Sequence, residues 1–388
     1  MQEKVRMNQN ETKLLTLIRN LTGQQKEDIQ IDDELISLAR KQATSVLVID
    51  QLKTPSESQL DQERSGVFQY YHLLFETRKY AQLLNNNDIP CVVLKGAALS
   101  RFYPIPEFRK SGDVDLLIKN KEDMDKARKL LLETGAMISS QQHAFHHLVF
   151  HIGDGIELEL HTEPAEDMEN AKANQVMEEA VRTMQIQNTA VIGHIIPIPD
   201  YGHEAYYALL HMLQHFLHEG FGLKLLADWT FMWNAPHAEE EINTYRKLIN
   251  QTGITGFSDM VTTVCVTYLG LNKEKGNQIL FNHDISEKNM INFLNDIFEA
   301  GDFGRSQNNR MLILKDTGFK TLVKEFHHQM TRNYPKASKL IITWPALWIS
   351  TLVIFLKNNK KLRNTNTRKI IVKAKERSTL LKDMKLFQ

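Results

Sequence analysis

Apolar positions recur at helical spacing through the first ninety residues, then switch over a short stretch to the two-residue period of strands. Leu14, Leu15, Leu17, Ile18 and Leu21 form one helical stripe, which Thr22-Gly23 stops. The run Ile31 to Arg40 has an acidic first turn, as the positive end of a helix dipole prefers. A longer helix is predicted from about Gly66 to Asn85, with Tyr70, Leu73, Leu74, Thr77, Tyr80, Ala81 and Leu84 inward. Asn85 to Asp88 reads as a loop, and Cys91-Val-Val-Leu94 as a short buried strand. Lys95 to Tyr103 looks like a turn into a helix, ended by Pro104 and Pro106. Val114 to Ile118 has strand character, and Glu122 to Thr134 is an amphipathic helix closed by Gly135. His147 to Ile152 and Ile156 to His161 flank Gly153-Asp-Gly155, which predicts a hairpin. After Pro164 the pattern is mainly helical, clearest from His203 to about Glu219 and from Leu223 to Trp233. The expected class is α+β: a small mixed sheet flanked by N-terminal and C-terminal helical regions. The expected division is 1–88 helical, 89–165 sheet core, 166–335 helical, and 336–388 an apolar helix with a basic tail.

Composition changes this picture little. A chain of 388 residues has room for two or three structural units. Its net charge is zero, so no global field indicates nucleic acid as a partner. Positive charge gathers at the end, where Lys357 to Gln388 holds eleven Lys or Arg against Glu376 and Asp383. Such a run reads first as a solvated, partly helical end. Cys91 and Cys265 make no disulfide framework, and the first ten residues lack a signal-peptide core, so a cytoplasmic location is expected. Leu340 to Leu356 is apolar but interrupted by Pro345, at the short edge of the roughly 17–25 residues that span a bilayer. A buried or interface helix is favoured there, with membrane contact through 340–388 as the secondary reading.

The candidate chemistry lies in the sheet. In a strand, Asp113 and Asp115 project to one face while Val114 turns to the core. Two carboxylates so close repel unless a cation neutralises them, and a hard divalent ion such as magnesium suits oxygen ligands. Glu157, Glu159 and His161 share a face of the later strand, which offers a third carboxylate for a two-metal clamp on a phosphoryl group. Gly96 allows backbone amides to approach a phosphate, and Lys95 and Arg109 supply positive charge. An Asp-x-Asp alone is a common surface pattern; the order of Lys-Gly turn, Asp-x-Asp strand and Glu-x-Glu-x-His strand gives it weight. His211 and His215, four apart with His218 beyond, lack the HExxH pattern of a zinc helix. Polar packing against Asp228 is the preferred reading of that pair. His143, His146, His147 and His151 read as exposed or hydrogen-bonded histidines around a strand.

The segments Val93 to Leu99, Tyr103 to Arg109, Ser111 to Ile118 and Glu159-Leu-His161 together resemble the DNA polymerase β superfamily of nucleotidyltransferases. More narrowly, they resemble its bacterial branch of largely uncharacterised nucleotidyltransferases. The likeness continues more weakly through Leu210 to His215, Asp228-Trp229 and Gly301 to Gly304. It implies a nucleotidyltransferase core with Asp113, Asp115 and Glu159 as catalytic metal ligands, Glu157 being the rival third acid. It implies nucleotide contacts from Lys95, Gly96, Arg109 and Gly112, with His161, His211, His215 and Asp228 in supporting places. Ala97 follows Gly96 where the superfamily usually has Ser or Gly, so a hydroxyl contact to phosphate is missing. The implied reaction is magnesium-dependent, with manganese as an alternative ion. It moves a nucleoside monophosphate from an NTP to an unidentified small-molecule, peptide or glycan acceptor and releases pyrophosphate. The alternative is a catalytically degenerate module that binds a nucleotide or partner.

Overall fold

A computed structural model describes residues 6–23, 26–139, 147–168, 170–218, 220–281 and 284–302, parts of 327–351, and 379–386. The chain opens with helices α1 (Gln9–Asn20), α2 (Asp33–Lys41), α3 (Ser45–Ile49) and α4 (Glu57–Asn85). Asn8 caps α1 reciprocally with Glu11: each side chain accepts from the other's backbone amide, at 2.9 and 2.8 Å. Helix α4 starts well before Gly66 because the Gln59 side chain reaches back to the Ser56 amide at 2.7 Å. Its inner face is the expected one, from Tyr70 to Leu84, with Glu76 buried as well.

The core sheet is built from β1 (Cys91–Val93), the single-turn helix α5 (Ala97–Ser100), β2 (Asp113–Ile118) and helix α6 (Met124–Glu133). It is completed by β3 (Met137–Ile138), β4 (His147–Ile152) and β5 (Ile156–His161). Spatial order is β1-β2-β5-β4-β3, with β2 and β5 parallel and the other pairs antiparallel. The expected α+β fold with a small mixed sheet is therefore present. Val114, Leu116, Ile118, Leu158 and Leu160 point to one face, where they bury against Tyr80 and Leu84 of α4 and Ala127 and Leu131 of α6. Alternation sends the acids to the other face.

The helical stretch expected after Pro164 is interrupted. Helix α7 (Ala171–Thr183) leads into a hairpin of β6 (Ile186–Val191) and β7 (His194–Pro199). Its polar run Gln187-Asn188-Thr189 and its prolines Pro197 and Pro199 hide the strands, because proline normally argues against a ladder. Val191, Ile196 and Ile198 nonetheless join the apolar layer under the sheet. The chain continues through α8 (Tyr201–Leu217), α9 (Leu223–Asn234), α10 (Glu239–Thr252) and α11 (Thr255–Val264) to α12 (Lys273–Ile279) and α13 (Glu287–Ala300). Trp229, Trp233, Tyr206, Tyr245, Phe216, Phe257 and Phe293 fill this helical core. Val92, Leu94 and Leu117 belong to the same core, so α8 and α9 roof one end of the acid-bearing face. Among the described residues no helix is long and apolar enough to cross a membrane. His143, His146, residues 352–356 and most of the basic tail lie outside the described residues.

Candidate active site

The register of two parallel strands assembles the acids. Asp113 sits beside Glu157, and Asp115 beside Glu159, across β2 and β5. Asp115 is buried, at 3% exposure, and its Oδ1 lies 2.9 Å from Lys95 Nζ and 3.1 Å from His161 Nε2. His161 Nε2 also lies 3.3 Å from Glu159 Oε2. Asp115, Glu159 and His161 thus offer three ligand atoms within 4.8 Å of one another, two oxygens and a nitrogen. Asp113 stands at the open end of the strand outside that trio. Glu157 is exposed and faces His151 Nδ1 at 3.8 Å. Lys95 reaches the acids because Gly96 turns the chain sharply at φ 48°, ψ −115°, a conformation that favours glycine.

The charges are mutually dependent. Burial alone would raise the Asp115 carboxyl, but the Lys95 ammonium and His161 hold it well below the usual range. Glu159 is likewise held down: burial opposes its charge, and the His161 hydrogen bond and Lys95 outweigh it. Asp113 goes the other way, pushed up to about 6 by burial and by the Asp115 charge. Burial would lower His161, but its hydrogen bonds to Asp115 and Glu159 raise it. An anionic site compensated by its own cations is the result.

The helical region supports the turn from behind. Asp228 of α9 receives Arg109 through both oxygens, Nε to Oδ1 and Nη2 to Oδ2, each at 2.8 Å. The Tyr103 hydroxyl donates to the same carboxylate at 2.7 Å. Arg109 Nη1 donates to Ser111 Oγ at 2.7 Å and to the Gly96 carbonyl at 3.2 Å. The guanidinium therefore ties the glycine turn, the loop before β2 and α9 together. Gly112 is exposed at the entry to β2. His211 and His215 lie edge to face, 4.4 Å between ring centres. Burial pushes both below the usual histidine range, His215 to about 3, with the Lys95 charge acting in the same direction. His211, Lys95, Arg109 and Asp228 line a cavity of about 10 Å³, near the size of one water. Asp228 accepts from Arg109 and Tyr103, and His211 lines the same cavity.

A family model described as an uncharacterised nucleotidyltransferase matches residues 30–270, well over half the chain. The chain belongs to that uncharacterised nucleotidyltransferase family. Comparison with curated proteins finds no match. Among solved structures, an antigenic nucleotidyltransferase-like protein from Paracoccidioides brasiliensis is similar at 17% identity and a TM-score of 0.35, over 52% of this chain and 93% of that one.

In this member of the family one charged residue near the acids has no counterpart in the sequence motifs. Lys224 of α9 is 6% exposed, lies 4.0 Å from Asp302 Oδ1, and its charge acts on Asp113 and on Arg109. Asp302 also holds Lys110 at 3.3 Å. The signal was present in Leu223-Lys-Leu-Leu-Ala-Asp228: a lysine and an aspartate four apart in an otherwise apolar helix.

Proposed function

We propose that this chain transfers a nucleoside monophosphate from a magnesium-bound NTP to an acceptor and releases pyrophosphate. The observation that carries this reading is the pairing of Asp113 and Asp115 with Glu157 and Glu159 across parallel strands, within a nucleotidyltransferase family core. The trio of Asp115, Glu159 and His161, with Asp113 two residues away on the same strand, is rich in carboxylate oxygen and suits a hard divalent ion, magnesium or manganese, with Asp113, Asp115 and Glu159 as the proposed holders. When bound, such an ion neutralises the carboxylates and polarises phosphate oxygens.

The chain's own residues supply the rest. The charges of Lys95 and Lys224 both act on Asp113, and they complement triphosphate charge. The Gly96 turn brings backbone amides towards a phosphate. In the transfer, an acceptor oxygen or nitrogen bonds to the α-phosphorus while the bond to the bridging oxygen breaks. The electron pair leaves with pyrophosphate, and the acceptor's proton passes to a carboxylate of the cluster, with Glu159 as the assigned acid.

A second reading, a binding module without turnover, is favoured by one observation: Lys95 and His161 already engage the same Asp115 oxygen. Calorimetry with NTP, with and without magnesium, tests the binding that both readings need. Magnesium-dependent binding that disappears in Asp113→Ala/Asp115→Ala is expected. An absence of binding to wild type would remove both readings.

A further inference from the structure

A cavity of about 210 Å³ opens between the N-terminal helices and the loop that runs into β2. Its helical wall includes Ser45 of α3 and Gln62, Ser65 and Gln69 of α4, and its floor includes Phe108 and Ser111. We propose that this cavity is the acceptor pocket, and that the acceptor is an uncharged polyhydroxylated small molecule of sugar or cyclitol size. The proposal rests on the transfer reading above.

Position is the first support. Ser111 lines the cavity and stands two residues before Asp113, at most about 7 Å along an extended chain. Arg109, also in the wall, fastens that floor to the Gly96 carbonyl and the Ser111 hydroxyl. The cavity lining thus runs directly into the strand that bears the aspartates. Size is the second support. An engineered cavity of about 150 Å³ holds a benzene ring, so this one has room for a six-membered ring with substituents.

Chemistry is the third. Ser65 and Gln69 offer a hydroxyl and an amide that both donate and accept, as the hydroxyls of a polyol do, while Gln62 donates to Ser45 Oγ at 2.8 Å and Ser111 Oγ accepts from Arg109. Phe108, half-buried in the floor, offers a ring to the carbon face of such a molecule. Charged groups at the mouth are already engaged. Glu107 accepts from the Tyr71 hydroxyl at 2.7 Å, and Lys110 is paired with Asp302 at 3.3 Å. Arg40 donates twice to the Gln62 carbonyl oxygen, at 2.9 and 2.6 Å. This lining differs from the basic stripe that a nucleic-acid acceptor would call for.

The test uses the full chain and saturation-transfer NMR with glucose, N-acetylglucosamine and myo-inositol as probes. Ser65→Trp fills the cavity, and Gln69→Ala removes hydrogen-bonding capacity without bulk; both residues are exposed on α4, and circular dichroism checks the fold. At least one probe is expected to bind wild type, with affinity lowered about tenfold or more by Ser65→Trp and less by Gln69→Ala. Magnesium-dependent NTP binding, which does not use the cavity, should persist in both variants. No probe bound by wild type would overturn the ligand class, and equal binding by Ser65→Trp would overturn the location. In Asp113→Ala/Asp115→Ala the probe signal should remain, so failure of NTP binding reports on the transfer reading separately.

Discussion

Asp228 carries three hydrogen bonds from two side chains, and all of them act on residues that shape the glycine turn. Arg109 and Asp228 are both almost fully buried, at 3% and 4% exposure. Burial alone would lower the Arg109 pKa, and the Asp228 carboxylate beside it more than reverses that. Removing one member of such a pair strands the other charge away from water. Asp228→Ala is expected to cost about 3–5 kcal/mol of folding stability, read from urea unfolding. A loss below about 1 kcal/mol, the range of exposed ion pairs, would mean that the fork does not hold the loop. At this scale Lys95, Asp113 and Asp115 were legible from type and spacing, whereas Glu157 and Glu159 shared one strand face and only the family resemblance favoured Glu159. The partner of Arg109 was not legible, because 119 positions separate it from Asp228 and no local period links them. Lys224 was obscured for the same reason: its four-residue spacing to Asp228 is visible, but its nearness to Asp113 needs the packing of α9 against the sheet.

The elements that matter most are short. Helix α5 is a single turn, and β1 has three residues, so their geometry depends on Gly96 between them. A Cβ built at Gly96 would meet only the Asp113 carbonyl and Ser111 Oγ, both at an ordinary 3.8 Å. The penalty for Gly96→Ala is therefore one of backbone conformation, about 1–3 kcal/mol. Relief of that strain moves Lys95 off Asp115, so the substitution should lower both the melting temperature and magnesium-dependent NTP binding. Unchanged values of both would show that the turn tolerates an L side chain. The hairpin of β4 and β5 was readable because Gly153 and Gly155 bracket alternating runs. The hairpin of β6 and β7 was not. Its apolar residues Val191, Ile196 and Ile198 are few, and its prolines sit where a sequence rule rejects a strand.

For the molecule as a whole, two apolar cores meet at one sheet. One packs α4 and α6 under the strands; the other packs α8 and α9 over Val92, Leu94 and Leu117. This arrangement leaves Glu157 exposed, and it sets the Lys224 charge against Asp113 and His211 beside Lys95. The α+β architecture followed from the switch in period near residue 90, whereas the closure of the helical region over the acids did not. That closure is long-range packing, whereas the cavity proposed for the acceptor is lined by α3, α4 and the loop before β2. The assembled cluster is proposed to catalyse nucleoside monophosphate transfer. This is tested most directly by incubating the chain with magnesium, α-phosphate-labelled NTPs and the sugar and cyclitol panel. Label transferred to an acceptor with release of pyrophosphate is expected from wild type, and none from Asp113→Ala/Asp115→Ala. Equal transfer by the two proteins would contradict it.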